Sequence, residues 1–256
     1  RILGHVLVFV GEEAIWLDAP PGCVDVVIPH LDRYLITEDV QIADRSADWG
    51  EVTLIGQKAA ELVDAFVPGA GQFAPCQHGH QDGITVRRFD FSMSPGWLIG
   101  AAREQLPSIC ERLAAAGAVP GRREVFEALR IEAAFPLYGT DLTEDNLAQE
   151  AGRTRQAISF TKGCYLGQEP IARLDAMGHT NRELRRVRLE SAVVPAPGTK
   201  LIPAGGDRDA GEITSAALSP VSNVGVALAM LRREACEQGT HLEVVLPAGR
   251  MAAVVE

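Results

Sequence analysis

From residue 184 to residue 256 the chain is a succession of short β-like runs cut apart by turn-forming residues. This pattern restricts the fold more than any other feature. The runs Val187–Leu189, Thr199–Ile202, Glu212–Ala217, Val224–Ala229 and Leu242–Leu246 are separated by Pro195-Ala196-Pro197-Gly198, by Gly205-Gly206 and by Gly239. Short strands punctuated in this way form a small β-barrel or a sandwich.

Upstream of Thr180 the pattern alternates between two periods. Residues 2–10 and 13–18 read as a hairpin about Gly11-Glu12, and Pro20-Pro21-Gly22 then breaks the chain. Val24 to Leu35 carries apolar residues at 24, 27, 28, 31 and 35, a helical stripe despite Pro29. Val40–Ala43, Val52–Ile55, residues 84–91 and residues 97–99 read as strands. Gln57–Phe66 reads as a helix with 59, 62, 63 and 66 apolar, ended by Pro68-Gly69. Leu106–Ala116 places Leu106, Ile109, Cys110 and Leu113 on one face, with Gly117 as the C-terminal cap, so Cys110 is expected in the core. Glu124–Phe135 turns Val125, Phe126 and Leu129 inward and is stopped by Pro136. The expected class is α+β: helix-backed antiparallel sheets followed by the β-barrel. Expected divisions are 1–105, 106–180 and 181–256. Because the chain opens at Arg1 inside its first strand and without a methionine, a preceding segment of the first lobe is also expected.

Composition removes several function classes. Hydrophobic residues are 46% and charged residues 23% of 256, as in soluble globular proteins. The purest apolar run, Val6–Val10, is strand-sized, so no membrane span is expected. A net charge of −10 argues against a broad phosphate-binding surface and direct nucleic-acid binding. Arg182, Arg185, Arg186 and Arg188 run through Val187 and Leu189, as on the solvated face of a strand. The five cysteines, Cys23, Cys76, Cys110, Cys164 and Cys236, are odd in number and contain no CxxC, which suits a reducing, cytoplasmic setting. No heptad seam is visible, so a monomer is expected.

The chemistry concentrates in two segments. Lys162-Gly163-Cys164-Tyr165-Leu166-Gly167-Gln168-Glu169 sets a thiol between glycines, with a cation two residues before it. Glycines permit tight turns and close approach, and a nearby cation lowers a thiol's pKa. The segment therefore reads as a presented thiol, against the alternative of a core cysteine. About thirty residues earlier, Arg130-Ile131-Glu132 is followed by Tyr138. Both oxygens of a carboxylate accept, so Glu132 can bind the N–H-rich edge of an aminopyrimidine or pterin, or it is simply a solvated helix residue. Cys76, His78 and His80 would share a strand face, but a fourth ligand is lacking and the region is rich in Gly and Pro, as a surface loop is; no metal site is expected. His179 either faces the same site as Cys164 or is exposed. No Walker loop, GxSxG elbow, HExxH or GxGxxG after a strand is present.

Taken together, Arg130-x-Glu132-Ala-x-Phe-Pro136, then Ile158-Ser159-Phe160-Thr161-Lys162 through Glu169, then Arg173, resembles the YgfZ-type folate-binding proteins. These are relatives of the aminomethyltransferase (T-protein) of the glycine cleavage system. Gly211-x-x-Thr214-Ser215 with Ser219-Pro220 resembles the C-terminal barrel of the same superfamily. The resemblance implies two α+β lobes and a β-barrel around a central cavity that takes tetrahydrofolate. It implies that Glu132, Tyr138, Gln168, Glu169 and Arg173 bind folate and that Cys164, with Lys162, is the functional thiol. It further implies a role in assembling or maintaining iron–sulfur enzymes, including tRNA-modifying ones, with client or assembly proteins as partners. The T-protein carries paired aspartates after a Gly-x-Ile-Leu stretch; here Gly4 and His5 stand at that place. The alternative within the same resemblance is a folate-dependent aminomethyltransferase or demethylase.

Overall fold

The structure, a computed structural model, describes residues 1–256, Met177 by its backbone alone. Its chain divides into two compact units, residues 6–123 and residues 124–256, the latter joined by residues 1–5.

In the first unit a hairpin of β1 (Leu7–Val10) and β2 (Ile15–Asp18) precedes α1 (Val24–Asp32). The hairpin is shorter than the alternation of residues 2–18 suggests, and Val40–Ala43 is irregular rather than a strand. A four-stranded antiparallel sheet follows, built from β3 (Trp49–Ile55), β4 (His78–Gln81), β5 (Ile84–Arg88) and β6 (Gly96–Ala102) in the order β3-β6-β5-β4. Between its strands lies α2 (Ala59–Val63), and after them comes α3 (Leu106–Ala115). Strand periodicity turns Val86, Trp97, Ile99 and Ala101 to one face, where Val63, Phe66, Ile109 and Leu113 cover them. Cys110 is exposed, against expectation: the helix buries Ile109 and Leu113, and Cys110 lies off that stripe. The opposite sheet face carries the buried Arg87, which pairs with Glu51 and, at 3.6 Å, with Asp18, and lies over the Phe9 ring. Burial raises the Asp18 carboxyl above its usual range, with Arg87 opposing the shift.

The second unit begins with α4 (Arg123–Glu132), continues through the short α5 (Thr154–Ala157) and α6 (Gln168–Met177), and ends in β7 (Arg182–Leu189), β8 (Lys200–Pro203), β9 (Gly211–Leu218), β10 (Gly225–Arg232), β11 (His241–Leu246) and β12 (Gly249–Val255). These six strands close as β10-β7-β12-β11-β8-β9, every pairing antiparallel. Closure decides between barrel and sandwich, and removes exposed sheet edges.

Strand β10 is buried from Gly225 to Leu231 because its two faces serve two cores. Ala227, Ala229 and Leu231 point into the barrel with Val187, Leu189, Ile213 and Val244. Val226, Leu228 and Met230 point outward onto Ile131, Leu142 and Leu184. Helix α4 thus packs on the barrel wall through Ile131, with Ala128 also buried, rather than through Val125, which is 44% exposed, while Phe126 and Leu129 are only half-buried. The arginines of β7 are held by carboxylates: Arg182 by Glu150, Arg185 by Glu183, and Arg186 and Arg188 by Glu256.

Candidate functional site

Helix α4 ends in a Schellman turn: Phe135 N–H donates to the Arg130 carbonyl and Ala134 N–H to that of Ile131, with Ala134 at φ 53°. Pro136 follows rather than causes this stop. The turn leaves Glu132 in the helix's last position, beside a buried polar hub.

That hub is centred on Asp141. Its Oδ2 accepts from Arg130 Nη1 at 2.8 Å and from Leu137 N–H at 2.9 Å, and its Oδ1 accepts from Thr214 Oγ1 and Ser215 Oγ, both at 2.6 Å. Arg130 is fully buried and also binds Glu127 and the Phe135 carbonyl. Two consecutive strand residues reach one carboxylate because β9 bulges there: Ser215 pairs with Leu228 and Ile213 with Ala229, so Thr214 has no partner of its own. Each buried charge is thereby paired and hydrogen-bonded, the condition under which burial is tolerated.

Glu132 is the free end of this frame. Ser219 Oγ accepts from Val221 N–H at 3.2 Å and Ser222 N–H at 3.1 Å, and donates to Glu132 Oε1. Arg186 holds the Glu132 carbonyl. Glu132 Oε2 accepts no hydrogen bond among the described residues. One oxygen is fixed and the other is available to an N–H-bearing ligand. Asp141, Ser219 and the bulge were not legible as site residues; the spacing of Thr214, Ser215 and Ser219 was their one sequence signal. Tyr138 is half-buried against the apolar cluster that contains Ile131 and Leu142.

The octet adopts a separate arrangement. Cys164 is exposed. Lys162 Nζ lies 4.3 Å from the Tyr165 ring centroid, and no hydrogen bond among the described residues joins Lys162 to Cys164. Gly167, at φ 84°, turns the chain into α6, a conformation that favours glycine. Gln168 closes this turn: its Oε1 accepts from Tyr165 N–H at 3.3 Å while its own N–H donates to the Tyr165 carbonyl. Glu169 lies exposed in the first helical turn. Arg173 lines a cavity of about 500 Å³ with Leu147, Gln149, Leu166, Ile171 and Leu174. Among the described residues no hydrogen bond or ion pair joins Glu132 to Cys164, Lys162, Gln168, Glu169 or Arg173. His179 is exposed.

The remaining candidates fall elsewhere. The segment expected as a surface loop contains β4, an edge strand; His78 Nε2 lies 3.0 Å from the Val10 carbonyl, and Cys76, at φ 69°, precedes the strand. No group of three or more His, Cys, Asp or Glu suited to a metal ion occurs among the described residues. Cys236 is buried, which pushes its thiol up, so it is a packing residue. No helix among the described residues is long and apolar enough to cross a membrane.

An α+β unit followed by a helix-bearing unit with a closed barrel, joined to a fixed carboxylate at the barrel wall, defines a class that the comparisons identify. Residues 4–162 match the GCVT N-terminal domain and residues 182–256 the glycine cleavage T-protein C-terminal barrel domain. The chain belongs to the glycine cleavage T-protein family. It is 29% identical over 81% of its length to an aminomethyltransferase of Rubrobacter xylanophilus, and 25% identical over 95% of its length to one of Saccharopolyspora erythraea. It spans 56% and 68% of those two proteins. The crystal structure of the glycine cleavage system aminomethyltransferase T from Bartonella henselae superposes on the whole chain with a TM-score of 0.87 at 19% identity, and the match covers 71% of that chain. The fold is therefore that of the T-protein.

Proposed function

We propose that this chain is a folate-binding protein of the YgfZ type, acting as an accessory to the assembly or maintenance of iron–sulfur enzymes, tRNA-modifying ones among them. The observation that carries the folate reading is the state of Glu132: Oε1 is anchored by Ser219 and Oε2 is open. A carboxylate so held can accept from the N–H edge of a pterin without losing rotamer freedom on binding. Glu132 thus suits the pterin ring of tetrahydrofolate, and the reading takes Tyr138, Gln168, Glu169 and Arg173 as further contacts, Gln168, Glu169 and Arg173 lying in the separate arrangement of the octet and α6. The accessory reading rests on the Lys162–Glu169 octet, whose cysteine is presented to solvent and so is accessible to a client or assembly protein. The protein acts in the cytoplasm as a monomer, and any effect on RNA passes through the client enzyme. The second reading, a folate-dependent aminomethyltransferase or demethylase, is favoured by the similarity to aminomethyltransferases.

Calorimetric titration with tetrahydrofolate, beside a Glu132→Ala variant, tests the pocket. Saturable binding by the parent that is lost in the variant is expected; equal binding by both removes Glu132 from the site. Cys164→Ala is expected to keep folate affinity while abolishing support of iron–sulfur enzymes in cells. Turnover of tetrahydrofolate to a methylene form with an amine donor, undiminished in Cys164→Ala, would install the transferase reading instead.

A further inference from the structure

The other half-buried or buried arginines of the barrel-bearing unit find carboxylates: Arg130 pairs with Asp141 and Glu127, Arg182 with Glu150, Arg185 with Glu183, and Arg186 and Arg188 with Glu256. Arg153 does not. It is half-buried, no carboxylate among the described residues lies within ion-pair distance, and its Nε is shielded from solvent without a hydrogen-bond partner. Its guanidinium stacks 4.9 Å from the centroid of the Phe135 ring. The same ring receives His5, at 5.1 Å between centroids. A carbonyl only accepts, so the 3.2 Å contact of His5 Nδ1 with the Pro136 carbonyl makes Nδ1 the donor and leaves Nε2 as the free ring nitrogen.

Two groups able to carry positive charge therefore flank one aromatic ring with no carboxylate among the described residues within ion-pair distance of either, in a chain whose net charge is −10. Desolvating an unpaired cation is unfavourable, and the ring face offsets only part of that cost. An acceptor supplied from outside would complete the set, and the planar fork of a guanidinium matches a carboxylate or phosphate. We propose that Arg153, Phe135 and His5 form an oxyanion-binding subsite, in which Arg153 takes a carboxylate or phosphate of a ligand and His5 Nε2 lies beside it. The subsite uses none of the residues assigned to the pterin ring. The shared chemistry admits two sources, the carboxylate tail of a folate-like ligand and a free oxyanion. Burial and the Arg153 charge both hold His5 below its ordinary value. An anion at Arg153 would relieve the second of these, so His5 reports on the site.

The test is NMR titration of the Arg153 Nε–H resonance and of the His5 ring with p-aminobenzoyl-glutamate, with its dimethyl ester and with inorganic phosphate, in the parent chain and in Arg153→Gln. The expected result is a saturable shift of Arg153 and a rise in the His5 midpoint with p-aminobenzoyl-glutamate, no shift with the uncharged ester, and no saturable response of His5 in Arg153→Gln. Saturation by phosphate alone would keep the subsite and assign it to a free oxyanion. Absence of a saturable Arg153 response to either anion overturns the proposal. Repeating the titration in Glu132→Ala separates it from the pterin reading, because a true oxyanion subsite keeps its response there. Arg153→Lys, which retains the charge and loses the fork, is expected to bind several-fold more weakly; binding equal to the parent would remove the bidentate role of Arg153.

Discussion

Single residues carry two costs that a measurement can isolate. Ala134 adopts φ 53° at the end of α4, a region that costs an L-residue with a Cβ about 1–2 kcal/mol relative to glycine. Glycine in turn loses about 0.4–1 kcal/mol more entropy on folding. Ala134→Gly is therefore expected to stabilise the chain by up to about 1.5 kcal/mol, the difference of those two costs. Urea unfolding checks this, and a destabilised variant would show that the turn is set by something other than Ala134. His5 gives a pH signature. Burial, then the Arg153 charge, lower its pKa, with the Pro136 carbonyl opposing. A lowered folded-state value means that the unfolded chain binds the proton first. The contribution is fully present above the unfolded value, about 6.5, and is lost as pH falls through the folded one. His5→Gln should accordingly lose less stability than the parent between pH 7.5 and 5. Parallel slopes in the two chains would refute the assignment.

At the scale of elements, the bulge in β9 decides how the barrel wall meets α4. Without the extra residue at Thr214, alternate side chains would face opposite sides, and Asp141 would receive one hydroxyl instead of two. Thr214→Val keeps the shape and removes the donor. It is expected to cost about 1.5 kcal/mol, the low end for a hydrogen bond to a charged group, because Ser215 still serves Oδ1. A neutral effect would mean that Asp141 is satisfied without Thr214. This bulge was invisible in the sequence, since register is a property of two strands and Thr214 alone reads as one more β-former. What could be read were periods and breakers: the barrel strands between their Gly and Pro turns, and the stripe of α3 apart from Cys110. What could not be read were elements without a clean stripe. Helix α6 carries Glu169, Arg173 and Asp175 on a mostly polar surface, and β12 begins Gly249-Arg250 without a β signature, so neither stood out. Residues 40–43 have the opposite fault, strand-like residues with no neighbouring strand to pair with. Glu132 was legible as a chemical type, but its anchoring depends on Ser219, eighty-seven positions away.

For the whole molecule, the division of the chain into units does not follow its linear order. Residues 1–5 belong with 124–256 and are separated from them in sequence by the whole of the sheet unit. Ile2 N–H donates to the Asn146 carbonyl at 3.1 Å, Ile2 packs partly on the outer core of the barrel wall, and His5 bonds the Pro136 carbonyl. Two hydrogen bonds and one half-buried aliphatic side chain amount to about 2–3 kcal/mol. Deleting residues 1–5 should therefore lower the protection of β7 and β10 amides against hydrogen exchange by a factor of about 30–150, the equivalent of that free energy. The amides of β5 and β6, whose core is built from Val86, Trp97 and Ile99 with α2 and α3, should be unaffected. The converse variant, Ile99→Ala, empties that second core at an expected cost of about 2–5 kcal/mol and should spare the barrel. If both variants deprotect both sets of amides alike, the two units unfold as one and the first five residues support the molecule as a whole. If each deprotects only its own set, the first five residues of the sequence serve the barrel-bearing unit, and the sheet unit is an insertion between its two parts.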